Sequence, residues 1–217
     1  MTCIVACVHD DAVWMGGDSV GSDAYAYDRA DKKVFRNGDY IIGFSGSYRL
    51  GQIAKITTFP EFPKNLLPKI EAPKILPKKS TSKKIAPKIL PQENLPVKRE
   101  DVELWFIASF VPVLREALIE EGKDEQFDFL IAVDRWLVCI ESDYQVGMYK
   151  SMHMAIGSGA LLALGALSVL DDIGAGPEEK IIRSISVAGN YDKAVGGNIT
   201  LFNTKDYNRT IYEMKKL

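Results

Sequence analysis

Apolar and polar positions alternate in blocks through the first part of the chain. Cys3 to Val8 and Ala12 to Gly16 are short apolar runs separated by the polar His9, Asp10 and Asp11, the pattern of a β-hairpin. A strand that begins at residue 3 ties the N-terminus into the body of the fold, where most termini fray. Lys32 to Phe35 and Tyr40 to Phe44 predict a second hairpin around Arg36-Asn37-Gly38-Asp39, whose Asn-Gly is a strong turn signal. After Gly43-Phe44-Ser45-Gly46-Ser47 the period changes, and Tyr48 to Ile56 predicts a short helix.

A longer helix is predicted from Arg99 to Glu121. Its apolar positions Leu104, Ile107, Ala108, Val111, Leu114, Ala117 and Leu118 recur at helical spacing, and Pro112 should kink or divide it. Strands follow at Phe127 to Val133 and Leu137 to Ser142 around an Asp134-Arg135-Trp136 turn. A helix from Ala160 to Leu170, one starting near Pro177 and a strand from Asn198 to Phe202 complete the order. Hairpins joined by short turns point to antiparallel sheets. Two facing sheets, each with a helix pair outside it, bury both apolar strand faces: an α+β fold, a four-layer αββα sandwich. Met154 to Leu170 carries no charge, but its 17 residues sit at the bottom of the membrane-spanning range. A buried helix entered through Gly157-Ser158-Gly159 is the better reading, and no membrane association is expected.

One stretch departs from this pattern. Pro60 to Lys98 holds eight of the ten prolines and no glycine, and Pro-Lys-Ile-Leu-Pro occurs twice, at Pro73 and Pro87. Its nine lysines against three glutamates make it +6, which leaves −8 for the remainder of a chain whose formal charge is −2. Such proline density excludes helix and sheet and predicts extended, polyproline-like chain. The domain organisation is therefore a single domain over 1–217 interrupted by an insertion at 60–98. That insertion is a spacer or a docking arm for a partner with an acidic surface. Without arginine, and with Phe62 alone for stacking, it is not a nucleic-acid binder.

Composition adds little direction. The 217 residues are 47% hydrophobic and 26% charged, an ordinary globular balance. The odd count of cysteines (Cys3, Cys7, Cys139) at no metal-ligand spacing suggests reduced thiols and a cytoplasmic setting. No signal peptide opens the chain. His9 and His153 lie at no triad or metal spacing and read as incidental; neither a metal nor a cofactor is expected.

Candidate chemistry begins at Thr2. A threonine hydroxyl needs a base within reach, and an N-terminal threonine carries one in its own α-amine. The amine's ordinary pKa of about 7.7–8 suits that task near neutrality. Met1 must then be removed, and a cation must stand near the amine. Lys33 is a candidate cation, Asp18 a candidate to hold it, and Gly46 a candidate backbone donor for an oxyanion. Taken singly, the Gly-Gly-Asp-Ser stretch reads equally as a turn, and Lys33 as a solvated surface charge.

The segments TCIVACVHDDAVWMGGDS, DRADKKVFRNGDYIIGFSGS, AIGSGA and NYDKAVGGNI, in that order, resemble the proteasome β-subunit superfamily. They are most similar to its simple bacterial or phage members, such as the HslV protease. The resemblance covers about residues 2–56 and 99–205 and implies an N-terminal nucleophile hydrolase with the αββα sandwich. By position it implies Thr2 as nucleophile, its amine as base, Asp18 and Lys33 as the catalytic aspartate and lysine, and Gly46 in the oxyanion hole. Ser158 and Asp192 match the residues around the terminal amine, and Val20, Phe35, Phe44 and Tyr48 the lining of the substrate side-chain pocket. The chain departs from many proteasome subunits in carrying Tyr191 for an arginine and Val195 for a serine.

The function so implied is a threonine protease subunit of a homo-oligomeric ring that cuts peptides inside a chamber. The 60–98 insertion would then lie on the apical face, where ATP-dependent unfoldases dock in relatives. Two alternatives stay open: an inactive structural or interaction protein that kept the fold, and a hydrolase of small amides.

Overall fold

The computed structural model describes residues 2–22, 26–66, 97–119 and 126–214. The Pro-Lys repeats expected to be extended fall within 67–96, outside the described residues, as does Met1.

The strands are β1 (Ile4–His9), β2 (Ala12–Gly17), β3 (Val20–Ser22), β4 (Ala26–Asp28), β5 (Val34–Asn37) and β6 (Tyr40–Gly46). After the insertion come β7 (Phe127–Val133), β8 (Trp136–Glu141), β9 (Val146–Gly147), β10 (His153–Ile156), β11 (Asn198–Asn203) and β12 (Thr210–Glu213). The helices are α1 (Tyr48–Ile56), α2 (Arg99–Trp105), α3 (Val111–Leu118), α4 (Ala160–Asp172) and α5 (Pro177–Tyr191). One five-stranded sheet runs β10-β1-β2-β11-β12, a second β5-β6-β7-β8-β9, and β3-β4 form a separate ribbon. All of these pairings are antiparallel.

Three apolar layers separate four structural ones. Ile4, Ala6, Val13 and Met15 of the first sheet meet Val34, Ile41, Leu130 and Ala132 of the second. The first sheet's other face, with Cys3, Val5, Ile199 and Leu201, packs on Ala163 and Leu167 of α4 and Ile181 and Ile185 of α5. The second sheet's outer face, with Ile42, Phe129 and Ile131, packs on Leu50, Phe106, Phe110 and Leu114. Side chains alternate across a strand, so a strand buried on both faces is apolar at successive positions. That is why β1 reads as an apolar run from Ile4 to Val8 and β7 as one from Phe129 to Val133, and the αββα sandwich is the observed fold.

Several boundaries differ from expectation. The long helix does end a turn before Pro112: Phe106–Phe110 is a π-helical turn in which the Val111 N–H donates to the carbonyl of Phe106, five residues back. Pro112 then falls in the first turn of α3, where its missing N–H is no loss. The second hairpin turns on Gly38-Asp39 rather than Asn37-Gly38, with Asn37 paired to Tyr40. The Asn37 side-chain amide donates instead to the carbonyls of Ala54 (3.0 Å) and Thr57 (2.7 Å), closing the end of α1. Strand β5 begins at Val34, so Lys33 precedes the strand.

The insertion also starts later than its composition suggests. Phe59 stacks face to face on Phe110 with centroids 4.2 Å apart. Phe62 is 5% exposed and packs edge-on against Trp105. Residues 60–66 are thus part of the body, anchored by two aromatic rings, and on the return side Val97 packs against the same cluster.

Candidate active site

The first turn of chain past β2 creates the site. Asp18 and Cys3 exchange hydrogen bonds: the Cys3 N–H donates to Asp18 Oδ1 (2.9 Å), and the Asp18 N–H to the Cys3 carbonyl (3.3 Å). Lys33 Nζ donates to the same Oδ1 at 2.8 Å, and neither side chain is exposed at all. The other oxygen, Oδ2, accepts the N–H groups of Val20 and Gly196, both at 3.2 Å. One buried carboxylate therefore collects three backbone donors and an ammonium. This is the compensation that a buried ion pair requires, since desolvation otherwise exceeds the Coulombic gain.

Because Cys3 N and Lys33 Nζ donate to one oxygen, the ammonium stands beside the backbone N–H that follows Thr2. Burial pushes the Lys33 ammonium below its ordinary pKa, opposed by Asp18. Burial likewise pushes the Asp18 carboxyl up, opposed by Lys33 and by the backbone donors. Lys33 is not the solvated surface charge that its place in Lys32-Lys33 allows. Burial, reinforced by Asp18, also pushes the Cys3 thiol far up. The thiol beside Thr2 thus stays protonated and is no rival nucleophile.

Thr2 itself is fixed by the turn that enters α4. Its carbonyl accepts the Gly159 N–H at 3.2 Å, and its nitrogen donates to Ser158 Oγ at 3.4 Å. Gly157 has φ +93°, and a Cβ there would strike the Thr2 carbonyl. Glycine is needed on both counts. In the chain beginning at Met1, Thr2 is 2% exposed. Asp192 caps α5 and receives the Ala194 N–H on Oδ1 at 2.9 Å. Its charge is felt at Cys3, which puts it in the same neighbourhood. Tyr191 points into solvent, 77% exposed, and Val195 is buried against the first sheet.

Gly46 ends β6, exposed, with φ +92°, and a Cβ there would run into the Gln126 carbonyl. Of the four side chains expected to line a pocket, Phe35 and Phe44 are 5% and 2% exposed and belong to the core. Val20 and Tyr48 stay partly open. The ring of Tyr48 stands edge-on to Phe44 (centroids 5.5 Å apart) and is covered by the Arg29 guanidinium, whose carbon lies 3.9 Å from the Tyr48 centroid.

Arg29 and its partner Asp31 leave one mark in the sequence, an Arg-x-Asp spacing before Lys33. A second missed group is Ser19, which donates to Asp28 and accepts the Asn198 N–H at 2.7 Å. It locks the β3-β4 ribbon to the loop that holds Asp18. His153 has a structural partner: its Nδ1 meets Asp171 at 2.8 Å, and Lys180 meets the same carboxylate.

Clefts of about 690 Å³ (around Arg36, Phe59 and Tyr207) and 480 Å³ (around Arg99, Arg135 and Trp136) lie elsewhere, and none of the site residues lines them. Among the described residues no group of three or more His, Cys, Asp or Glu could hold a metal ion. No described helix is long and apolar enough to cross a membrane.

No protein-family model matches the chain, and no curated protein matches it. Solved structures do. Thiobacillus denitrificans BPH in complex with epoxomicin superposes with a TM-score of 0.65 at 16% identity, over 99% of this chain and 100% of that one. A second structure of the same BPH gives 0.64 at 17% identity, over 99% of each chain. HslV from Trypanosoma brucei gives 0.59 at 17% identity, over 93% of this chain and 98% of that one. The chain therefore has the fold of HslV and BPH.

Proposed function

We propose that the protein is an N-terminal threonine hydrolase that cleaves peptide bonds. The observation that carries this reading is the Lys33–Asp18 pair, fully buried and hydrogen-bonded to the residue next to Thr2. A solvent-free ammonium is costly, and its place on the carboxylate oxygen that also takes the Cys3 N–H gives that cost a use.

Once Met1 is removed, the Thr2 α-amine takes the proton from Thr2 Oγ1 as the oxygen attacks the substrate carbonyl carbon. The Lys33 ammonium stabilises the ionising hydroxyl and, by its charge, keeps the neighbouring amine largely unprotonated; Asp18 keeps Lys33 in place. The developing oxyanion accepts the Gly46 N–H, a type of contact worth about 10²–10³ in rate. The C–N bond then breaks and the α-ammonium returns its proton to the leaving amine. Water, with the amine again as base, attacks the ester and releases the acid. Ser158 and Asp192 orient the amine. Val195, where many relatives carry serine, offers it no hydroxyl.

By analogy with the fold's relatives, the subunit works in a homo-oligomeric ring in the cytoplasm, on peptides delivered by an ATP-dependent unfoldase that docks on the insertion. Because Phe62 belongs to the core, the deletion that tests this removes 67–96 only. It should impair degradation of folded proteins and spare short peptides; equal loss of both would remove the docking role.

The primary test compares hydrolysis of short peptide amides by the wild type and Thr2→Ala, with intact mass establishing loss of Met1. Activity that disappears in Thr2→Ala supports the reading. Unchanged activity in that variant, or hydrolysis of small non-peptide amides alone, refutes it; complete inactivity of a Met1-free wild type favours the structural alternative.

A further inference from the structure

We infer that Ser19 is a positioning residue of the reaction: its hydroxyl, steadied by Asp28, fixes the Lys33–Asp18 pair against the loop that carries Asp192. This rests on the hydrolase reading above and adds to it a residue that touches no substrate.

Ser19 is 1% exposed, yet every one of its polar groups is engaged. Its N–H donates to the Gly196 carbonyl at 3.1 Å, and its own carbonyl accepts the Arg29 N–H at 3.0 Å. Its hydroxyl accepts the Asn198 N–H at 2.7 Å and donates to Asp28 Oδ1. Directly before it, Asp18 Oδ2 accepts the Gly196 N–H at 3.2 Å. Asp18 and Ser19 together therefore grip the backbone of Gly196 and Asn198, just beyond the last β2-β11 register pair, Gly17 with Thr200.

The gripped chain has little stiffness of its own. Gly196 and Gly197 adjoin, and glycine is the residue with the widest backbone freedom. Gly197 has φ +71°, and a Cβ there would strike both Ser19 Oγ and the Asp28 carboxylate. The stretch before the glycines is tied up locally: Asp192 takes the Ala194 N–H on Oδ1 at 2.9 Å and the Val195 N–H on its carbonyl at 3.0 Å. The place of Asp192 relative to Asp18 is thus set where the two glycines meet Ser19. Without the hydroxyl, the Asn198 N–H loses its acceptor and the glycine pair is free to turn. The Gly196 N–H then drifts from Asp18 Oδ2, while Lys33 stays on Oδ1. Small displacements of groups around a reacting centre are costly in rate.

Thr204 supplies the contrast. Its hydroxyl does the same structural work at the other end of β2 and β11, accepting the Val13 N–H at 3.0 Å and donating to the Asp134 carbonyl. It lines the cleft around Arg36 and Tyr207, which holds no site residue.

The test follows hydrolysis of one short peptide amide by the Met1-free protein. Ser19→Ala and Thr204→Val each delete one structural hydroxyl, and each should lower Tm. Ser19→Ala should also reduce kcat by about 10–100-fold with KM near the wild-type value, whereas Thr204→Val should change neither. Asp28 is exposed, so its variants probe the same contact without opening the core. Asp28→Ala should reduce kcat in the direction of Ser19→Ala. Asp28→Asn, whose amide oxygen still accepts the hydroxyl, should recover most of that loss. Equal kcat in Ser19→Ala and Thr204→Val, a Ser19→Ala defect confined to KM, or an Asp28→Asn as slow as Asp28→Ala overturns the inference. If Ser19→Ala fails to fold, the two Asp28 variants decide. The hydrolase reading survives each of these failures provided Thr2→Ala abolishes the wild-type activity. A Met1-free wild type without turnover overturns both.

Discussion

Two aspartates in this molecule each hold a lysine, and they do so in opposite settings. Asp18 and Lys33 are without solvent exposure, and the carboxylate is completed by backbone N–H groups from Cys3, Val20 and Gly196. Asp171, at the end of α4, holds Lys180 and His153 with 37% of its own side chain exposed. Burial pushes the Asp18 carboxyl up. At Asp171 the hydrogen bond from Lys180 outweighs a small desolvation and holds the carboxyl below its ordinary value. The same pair of residue types is thus a costly, dehydrated arrangement in one place and a partly exposed clasp between β10, α4 and α5 in the other. A fold gains little stability from the first kind, so its presence beside Thr2 points to chemistry.

The comparison is broken most directly by removing each lysine. Lys33→Ala leaves a buried carboxylate unpaired and should destabilise the protein by about 3–5 kcal/mol, while Lys180→Ala should cost less than about 1 kcal/mol. Urea unfolding of the two variants checks this; equal losses would remove the distinction. Lys33→Met, closer in volume, should abolish peptide hydrolysis even where the variant folds.

Next in size is the backbone approach that holds Thr2. Gly157→Ala forces a side chain into φ +93° and against the Thr2 carbonyl. It should cost about 1–3 kcal/mol and depress turnover, whereas Gly38→Ala, whose Cβ meets nothing, should leave turnover unchanged.

The smallest effect is that of pH on the clasp. The carboxyl of Asp171 titrates lower in the folded chain than in the unfolded one, so between those two values the unfolded state binds more protons. Its stabilising contribution is full above about pH 4 and is lost as pH falls through the folded value. The difference in Tm between wild type and Asp171→Asn should therefore shrink on acidification below about pH 4. A difference that grows there would contradict the assignment.

How much of this the chain reveals by itself depends on the range of the interaction. Local period was enough for α1 and β7, whose observed bounds coincide with the predicted ones, and for the β1-β2 hairpin with Asp10 and Asp11 at positive φ. The layer order followed from hairpins and helix pairs. The short strands β3, β4, β9, β10 and β12 escaped because two to four residues carry too little periodicity to stand out from loop. Strand β10 matters most, since it pairs with β1 and leads into the turn that fixes Thr2.

At the site, the nomination of Thr2, Asp18 and Lys33 rested on spacing and resemblance, and the structure brings them together. The burial of Phe35 and Phe44, the Arg29–Tyr48 contact and the His153–Asp171–Lys180 clasp depend on which surfaces meet in three dimensions. No window of sequence holds that information. Phe62 shows the same limit: proline density marked its neighbourhood as outside the fold, while its ring found the α2 aromatic cluster.

The central claim is that the free amine of Thr2 is the base, and it is tested most directly by covering and uncovering that amine. The chain is prepared with a removable N-terminal extension joined to Thr2, and hydrolysis of one peptide amide is followed before and after the extension is cleaved. The account predicts no turnover while Thr2 is covered and turnover once it is exposed, rising with pH through the ordinary α-amine range of about 7.7–8. Equal rates before and after cleavage, or no turnover in the uncovered protein, would contradict it.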